Sequence, residues 1–256
     1  MENLVYAIIL LPLVGFLING LFGKNLPKIF VGSLATLMVF ASFVIAAYLF
    51  LNFDSKSQPF IANAFEWFRV NGMQINFGFQ IDQLSLMMIM IITGIGTLIH
   101  IYSIGYMSHD KGFYKFFTYL NLFIFSMLLL VMGSNYLILF IGWEGVGVCS
   151  YLLIGFWYEN WEYGKAARKA FIMNRIGDLG LLIGIFIIAQ QTNALDYLSV
   201  ANNASKFAID SPVIIFITAS LFIGAVGKSA QVPLYTWLPD AMAGPTPVSA
   251  LIHAAT

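Results

Sequence analysis

Apolar runs of about twenty residues recur along this chain, near 4–22, 29–51, 83–107, 114–132, 135–157, 170–191 and 212–243. About 20 helical residues cross the roughly 30 Å of hydrocarbon in a bilayer. The pattern therefore predicts an all-α polytopic membrane protein. An eighth run opens near Thr246 and is still apolar at Thr256. About seven to eight transmembrane helices are expected, and the chain reads as the N-terminal part of something longer. Residues 4–22 lack the basic start and small-residue cleavage site of a secretory signal, so they read as a retained span.

Two stretches depart from the pattern. In "FEWFRVNGMQINFGFQID", residues 65–82, Asn71-Gly72 is a hairpin-turn signal, and Met73, Ile75, Phe77, Phe79 and Ile81 then alternate with the period of a strand. A small extramembrane β-hairpin, at about 57–82, is predicted between the second and third helices. In "LFIGAVGKSAQVPLYTWLPDAM", residues 221–242, Lys228 ends a stretch uncharged since Asp210, and Pro233 and Pro239 follow. Proline lacks an N–H and clashes with the preceding turn. The seventh helix should therefore be discontinuous, broken between Lys228 and Pro239. Broken helices at membrane depth survive only where they are buried in protein or line a wet cavity. Ser229, Gln231, Tyr235 and Thr236 supply polar groups for such a passage.

Composition agrees with a lipid-facing surface: 60% of residues are hydrophobic and 9% charged, against about 25% charged in a soluble domain. Twelve basic and twelve acidic side chains cancel, which argues against a nucleic-acid partner. The single cysteine, Cys149, excludes an internal disulfide and reads as a small core residue. With the N-terminus outside, the inner connections carry Lys24, Lys28, Lys111, Lys115, Lys165, Arg168 and Lys169. The outer ones carry Lys56, Arg69 and Lys206. That bias favours the N-terminus on the outer side.

Glu144, Arg175, Asp178, Lys228 and His253 fall inside apolar spans, with His100 and Asp82 nearer to span ends. A charge at mid-membrane costs about 2.5–3.5 kcal/mol on insertion scales, so each needs a reason. Arg175 and Asp178, three apart on one helix face, admit an intrahelical pair. His100 reads as a hydrogen-bonded packing histidine. Glu144 and Lys228 have no opposite charge at helical spacing in their own segments, and both stand among glycines that admit close helix approach: Gly142, Gly145 and Gly147 for one, Gly224 and Gly227 for the other. They are expected to come within ion-pair or one-water reach. A pair at about 4 Å with an effective dielectric near 20 is worth roughly 4 kcal/mol, so gaining or losing it would switch the lysine's hold on its proton.

"GFQIDQLSLMM", "FIGWEGVGVCSYLLIGFWY", "KAFIMNRIGDLG" and "GAVGKSAQVPLYTWLPDAMAGPTPVSALIHAAT", in that order from Asp82 to the end, make the chain similar to the antiporter-like subunit L family of proton-pumping NADH–quinone oxidoreductase, respiratory complex I. The mitochondrial counterpart is chain 5. The resemblance implies two inverted five-helix repeats in the whole subunit. Residues 1–113 would be three leading helices with the hairpin, and 114–256 an incomplete first repeat. It also implies that Glu144, Lys228 and His253 form a proton relay tuned by Asp178 and Arg175. NADH, FMN, iron–sulfur clusters and quinone would be bound by other subunits, with no cofactor in this chain. The implied partners are other membrane-arm subunits, above all the neighbouring antiporter-like one, in a bacterial inner membrane. The large subunit of a multisubunit sodium/proton antiporter shares the glutamate and lysine motifs, but "AFIMNRIGDLG" is typical of the complex I subunit. A purely structural anchor is the third class, in which the buried charges are replaceable.

Overall fold

The computed structural model describes residues 2–53, 58–70, 72–205, 207–208 and 211–255, the side chains of 253–255 excepted. Lys56, Lys206 and Asn71, and the side chain of His253, therefore lie outside the described residues.

Six helices are long and apolar enough to cross a membrane: α1 (Glu2–Phe22), α2 (Lys28–Asn52), α3 (Gln83–Tyr106), α4 (Phe113–Met132), α5 (Tyr136–Ile154) and α6 (Trp161–Thr192). A shorter apolar helix, α8 (Pro212–Lys228), follows the eight-residue α7 (Tyr197–Ala204), and α9 (Thr246–Ala255) comes last. Strands β1 (Phe60–Val70) and β2 (Met73–Ile81) form the expected hairpin between α2 and α3. Val70 pairs with Met73, and Gly72 takes φ +80°, a conformation open to glycine.

Helix ends follow local chemistry. Asp82 caps α3 by accepting from the Ser85 N–H, while the Ser85 hydroxyl accepts from the Asp82 N–H, each at 2.8 Å. Asn135 caps α5, and its Nδ2 donates to the Asn76 carbonyl at 2.9 Å. That bond ties the hairpin to the bundle, as does the Ser134 N–H to the Gly78 carbonyl at 3.1 Å. At the other end, Lys28 reaches the carbonyls of Ser108 and Asp110, and Trp157 donates to Asp110.

The core gathers on α4, where Phe116, Phe117, Leu120, Phe123, Ile124 and Leu128 are fully buried. Its neighbours approach through glycines: a methyl placed on Gly142 of α5 would lie 2.6 Å from the Leu130 Cα on α4. His100 packs in the same core, with Nδ1 on the Gly96 carbonyl and Nε2 facing Asn121, as its packing reading expects. Cys149 is buried against Ser126.

Two spans differ from their sequence reading. α6 begins at Trp161 rather than near 170, because its first turns carry Glu162, Lys165, Arg168 and Lys169 and so hide from an apolar scan. At about 1.5 Å per residue it is longer than the hydrocarbon is thick. The seventh helix breaks at Lys228 as expected, but α-helix does not resume before 243. Residues 229–239 run as turns, a single 3-10 turn follows at Asp240–Ala243, and α9 then starts. Pro233, Pro239 and Pro245 stand six residues apart, leaving too little uninterrupted chain for two helical turns.

Backbone contact at Gly142 cannot yield, so Gly142→Ala should destabilise the protein by about 1–3 kcal/mol, as overpacking does. Gly105→Ala, which meets nothing within 4 Å, is the control. The measurement is the midpoint of thermal unfolding in detergent, and equal midpoints would refute the packing account.

Candidate functional site

Lys228 is the last residue of α8. Its place is fixed by the crossing of α8 with α6, where a methyl on Gly177 would lie 2.9 Å from the Cα of Gly227. Gly180 and Gly184 of α6 meet Ile223 and Leu221 in the same way. Residues without side chains let the two backbones touch, and the next residue on each helix, Asp178 and Lys228, is carried to the same level.

The Lys228 ammonium then crosses to α5. It sits 5.7 Å from the centre of the Trp143 ring, and a Cβ on Gly147 would lie 2.9 Å from it. Among the described residues it makes no ion pair within 4.0 Å, although the carboxylates of Asp178 and Glu144 both act on it electrostatically.

The direct pairings differ from the sequence expectations. Arg175 does not pair with Asp178 along α6; its guanidinium forms an ion pair with Glu144 of α5 and lies 4.8 Å from the Phe171 ring centre. Asp178, buried, accepts instead from the Trp143 indole N–H at 2.5 Å. The i,i+3 spacing made the local pair possible, but α5 packs alongside α6 and offers each side chain a partner that sequence distance conceals. Glu144 and Lys228, expected within ion-pair or one-water reach, form no direct ion pair among the described residues; Arg175 pairs with the Glu144 carboxylate. One oxygen of it, Oε1, is buried with no hydrogen-bond partner among the described residues.

Glu144, Arg175, Asp178 and Lys228 are thus brought into one cluster on α5, α6 and α8. His253 lies on α9, its side chain outside the described residues. Trp143 is the member that sequence reasoning missed; its signal was an indole N–H beside an intramembrane glutamate. The segment beyond Lys228 is tied down at both ends of its path: Trp237 donates to the Gly227 carbonyl at 3.0 Å, and Lys169 of α6 pairs with Asp240 at 2.7 Å. Ser229, Gln231 and Tyr235 are exposed along it. Such a cluster can hold positive and negative charge at bilayer depth and redistribute it among three helices.

Residues 133–256 match a family described as NADH:quinone oxidoreductase/Mrp antiporter, TM, and residues 67–117 match one described as NADH-Ubiquinone oxidoreductase (complex I), chain 5 N-terminus. The chain is 52% identical to NADH-quinone oxidoreductase subunit L of Campylobacter jejuni over 256 residues, covering 100% of this chain and 41% of that protein. It is 47% identical to the same subunit of Mycobacterium tuberculosis, over 98% of this chain and 40% of that protein. The chain therefore spans about two fifths of the length of these relatives. Its fold matches the Mrp complex from Dietzia sp. DQ12-45-1b with a TM-score of 0.84 at 25% identity, over 97% of this chain and 26% of that one.

The Glu144–Arg175 contact is open to a double-mutant cycle. Arg175→Gln and Glu144→Gln should each destabilise the protein in thermal unfolding, the first by leaving a carboxylate unpaired. The double variant should recover a coupling of about 1–2 kcal/mol, the range for side chains in contact. Strict additivity would mean that the two do not interact.

Proposed function

Since the chain belongs to the family of antiporter-like subunits L and chain 5 of NADH–quinone oxidoreductase, we propose that it forms part of the proton-translocating membrane arm of that enzyme. In this reading the chain performs no redox chemistry. NADH, FMN, iron–sulfur clusters and quinone are held by other subunits, and their reaction drives changes of charge pairing here. The chain is a multi-pass membrane protein. We place it in a bacterial inner membrane with the N-terminus outside, because Lys24, Lys28, Lys111, Lys115, Lys165, Arg168 and Lys169 gather at the opposite end from Arg69. Residues 1–113 serve as three leading helices, and 114–256 as part of the first repeat.

The observation that carries the reading is the state of Lys228: an ammonium at a helix break, within electrostatic reach of two carboxylates and ion-paired with neither. Bringing a carboxylate to about 4 Å from it, at an effective dielectric near 20, changes the energy by about 4 kcal/mol. That is close to a thousandfold change in proton affinity. Glu144 is poised for the exchange, since leaving Arg175 frees its carboxylate for Lys228. Asp178 supplies a second negative charge, and His253 on the next helix passes the proton onward. Arg175 also points to the partner. Its side chain is 43% exposed within the apolar part of α6, where a charge facing lipid is costly. A neighbouring antiporter-like subunit of the membrane arm covers that face.

The Mrp likeness favours one alternative, a subunit of a sodium/proton antiporter. The two readings separate on the driving force: proton uptake by inverted vesicles should require NADH and proceed without sodium. A strut at position 228 needs only charge, whereas a carrier must release its proton, which arginine effectively never does. Lys228→Arg should therefore impair NADH-driven pumping nearly as much as Lys228→Ala at matched complex abundance. Pumping at the wild-type rate by the arginine variant would end the carrier reading.

A further inference from the structure

The indole of Trp143 touches both charges of the α6–α8 crossing, by two chemically different surfaces. Its edge donates Nε1–H to the Asp178 carboxylate at 2.5 Å, and its face lies 5.7 Å from the Lys228 ammonium. We propose that Trp143 is a positioning residue that keeps Asp178 and Lys228 from closing into a direct ion pair, and so leaves the Lys228 proton exchangeable. This inference rests on the carrier reading of Lys228.

Indole is suited to the task because it has one donor and no acceptor. The N–H satisfies a buried carboxylate without cancelling its charge. The ring face attracts a cation through its quadrupole, yet offers no lone pair that could take a proton. Lys228 is thereby held with no hydrogen bond to a base among the described residues.

The backbone makes this separation necessary. Gly177 and Gly227 bring the backbones of α6 and α8 into contact, and Asp178 and Lys228 directly follow those glycines, so helix spacing in this packing does nothing to hold the two charges apart. Only what lies between the side chains can. α5 supplies that obstacle, and it also leaves Gly147 bare where the ammonium ends. Without the indole, a rotamer change would bring the carboxylate onto the ammonium, and the charge would be trapped on Lys228.

Substitutions separate the two surfaces. Trp143→Phe keeps a ring face and loses the N–H; Trp143→Leu loses both. In the assembled complex, the leucine variant should pump about tenfold more slowly than wild type at matched abundance, the size expected from one charged hydrogen bond and one cation–π contact. The phenylalanine variant should fall between them. Adding Asp178→Asn to Trp143→Leu should restore part of the pumping, because the carboxylate that traps Lys228 is gone. A merely structural tryptophan would give the opposite result, the second change adding to the damage. A structure of the leucine variant, independent of pumping, should show Asp178 and Lys228 within ion-pair distance. If Lys228→Arg abolishes pumping but Trp143→Leu pumps normally or stays unrescued, the positioning role is wrong and the carrier reading stands. If Lys228→Arg pumps normally, the carrier reading fails. In that case a leucine-variant structure with the two charges still apart would overturn the spacer role as well.

Discussion

The contact of two backbones at Gly177 and Gly227 governs the arrangement around it. Helices in a bilayer gain little from burying apolar surface against one another, because lipid is as apolar as leucine. What remains is close packing and polar contact, and the glycines of α6 and α8 provide the first. Once the backbones touch, Asp178 and Lys228 share one level of the bundle, and α5 closes over them with Trp143, Glu144 and Gly147. Four ionisable side chains then occupy a small volume at bilayer depth. That arrangement holds only if their charges offset one another, as they do here: two acids and two bases.

Much of this was legible in the sequence, and the failures have physical causes. Apolar runs located the helices because the bilayer imposes a length. The break after Lys228 was legible because Pro233 and Pro239 act through their own covalent geometry. The early start of α6 was not, since Glu162 to Lys169 sit where the helix leaves hydrocarbon and apolarity no longer reports on helicity. Short α7, whose residues include Asn202 and Asn203 and none fully buried, carried no membrane signal at all. The cost of burial picks out charged residues one at a time, and Glu144, Arg175, Asp178 and Lys228, each singled out in that way, fall in one cluster. The direct partners were not legible, because they depend on neighbours across helices. Arg175 and Asp178 satisfied the local spacing rule, yet Glu144 and Trp143, more than thirty positions away in sequence, were the partners.

Polar contacts beyond the cluster limit where movement is possible. Lys28, Trp157 and Asp110 fasten the loops at one end, and Asn135 and Ser134 fasten the hairpin at the other. The stretch after Lys228 is held in another way, with Trp237 and Ala241 buried in the core. Among the described residues its polar anchors include one indole donor, Trp237, and one partly exposed ion pair, Lys169 with Asp240. Exposed pairs contribute roughly 0–1 kcal/mol. The buried side chains, more than the ion pair, therefore fix the segment immediately beyond the residue proposed to carry the proton.

The asymmetry of the two acid–base contacts then acquires a meaning. Arg175 holds Glu144 tightly by charge, and it cannot itself lose a proton. Lys228 is held by an aromatic face, a weaker and non-basic contact. The permanent cation is thus bonded to the carboxylate, while the titratable cation is left without one. Had the partners been exchanged, Lys228 would be locked in its charged form and Arg175 would be the idle group, unable to release anything. The cluster places its strongest bond on the cation that holds its proton permanently and its weakest on the proposed carrier. A shift of a single carboxylate, from Arg175 toward Lys228, reverses that distribution without any helix leaving its place.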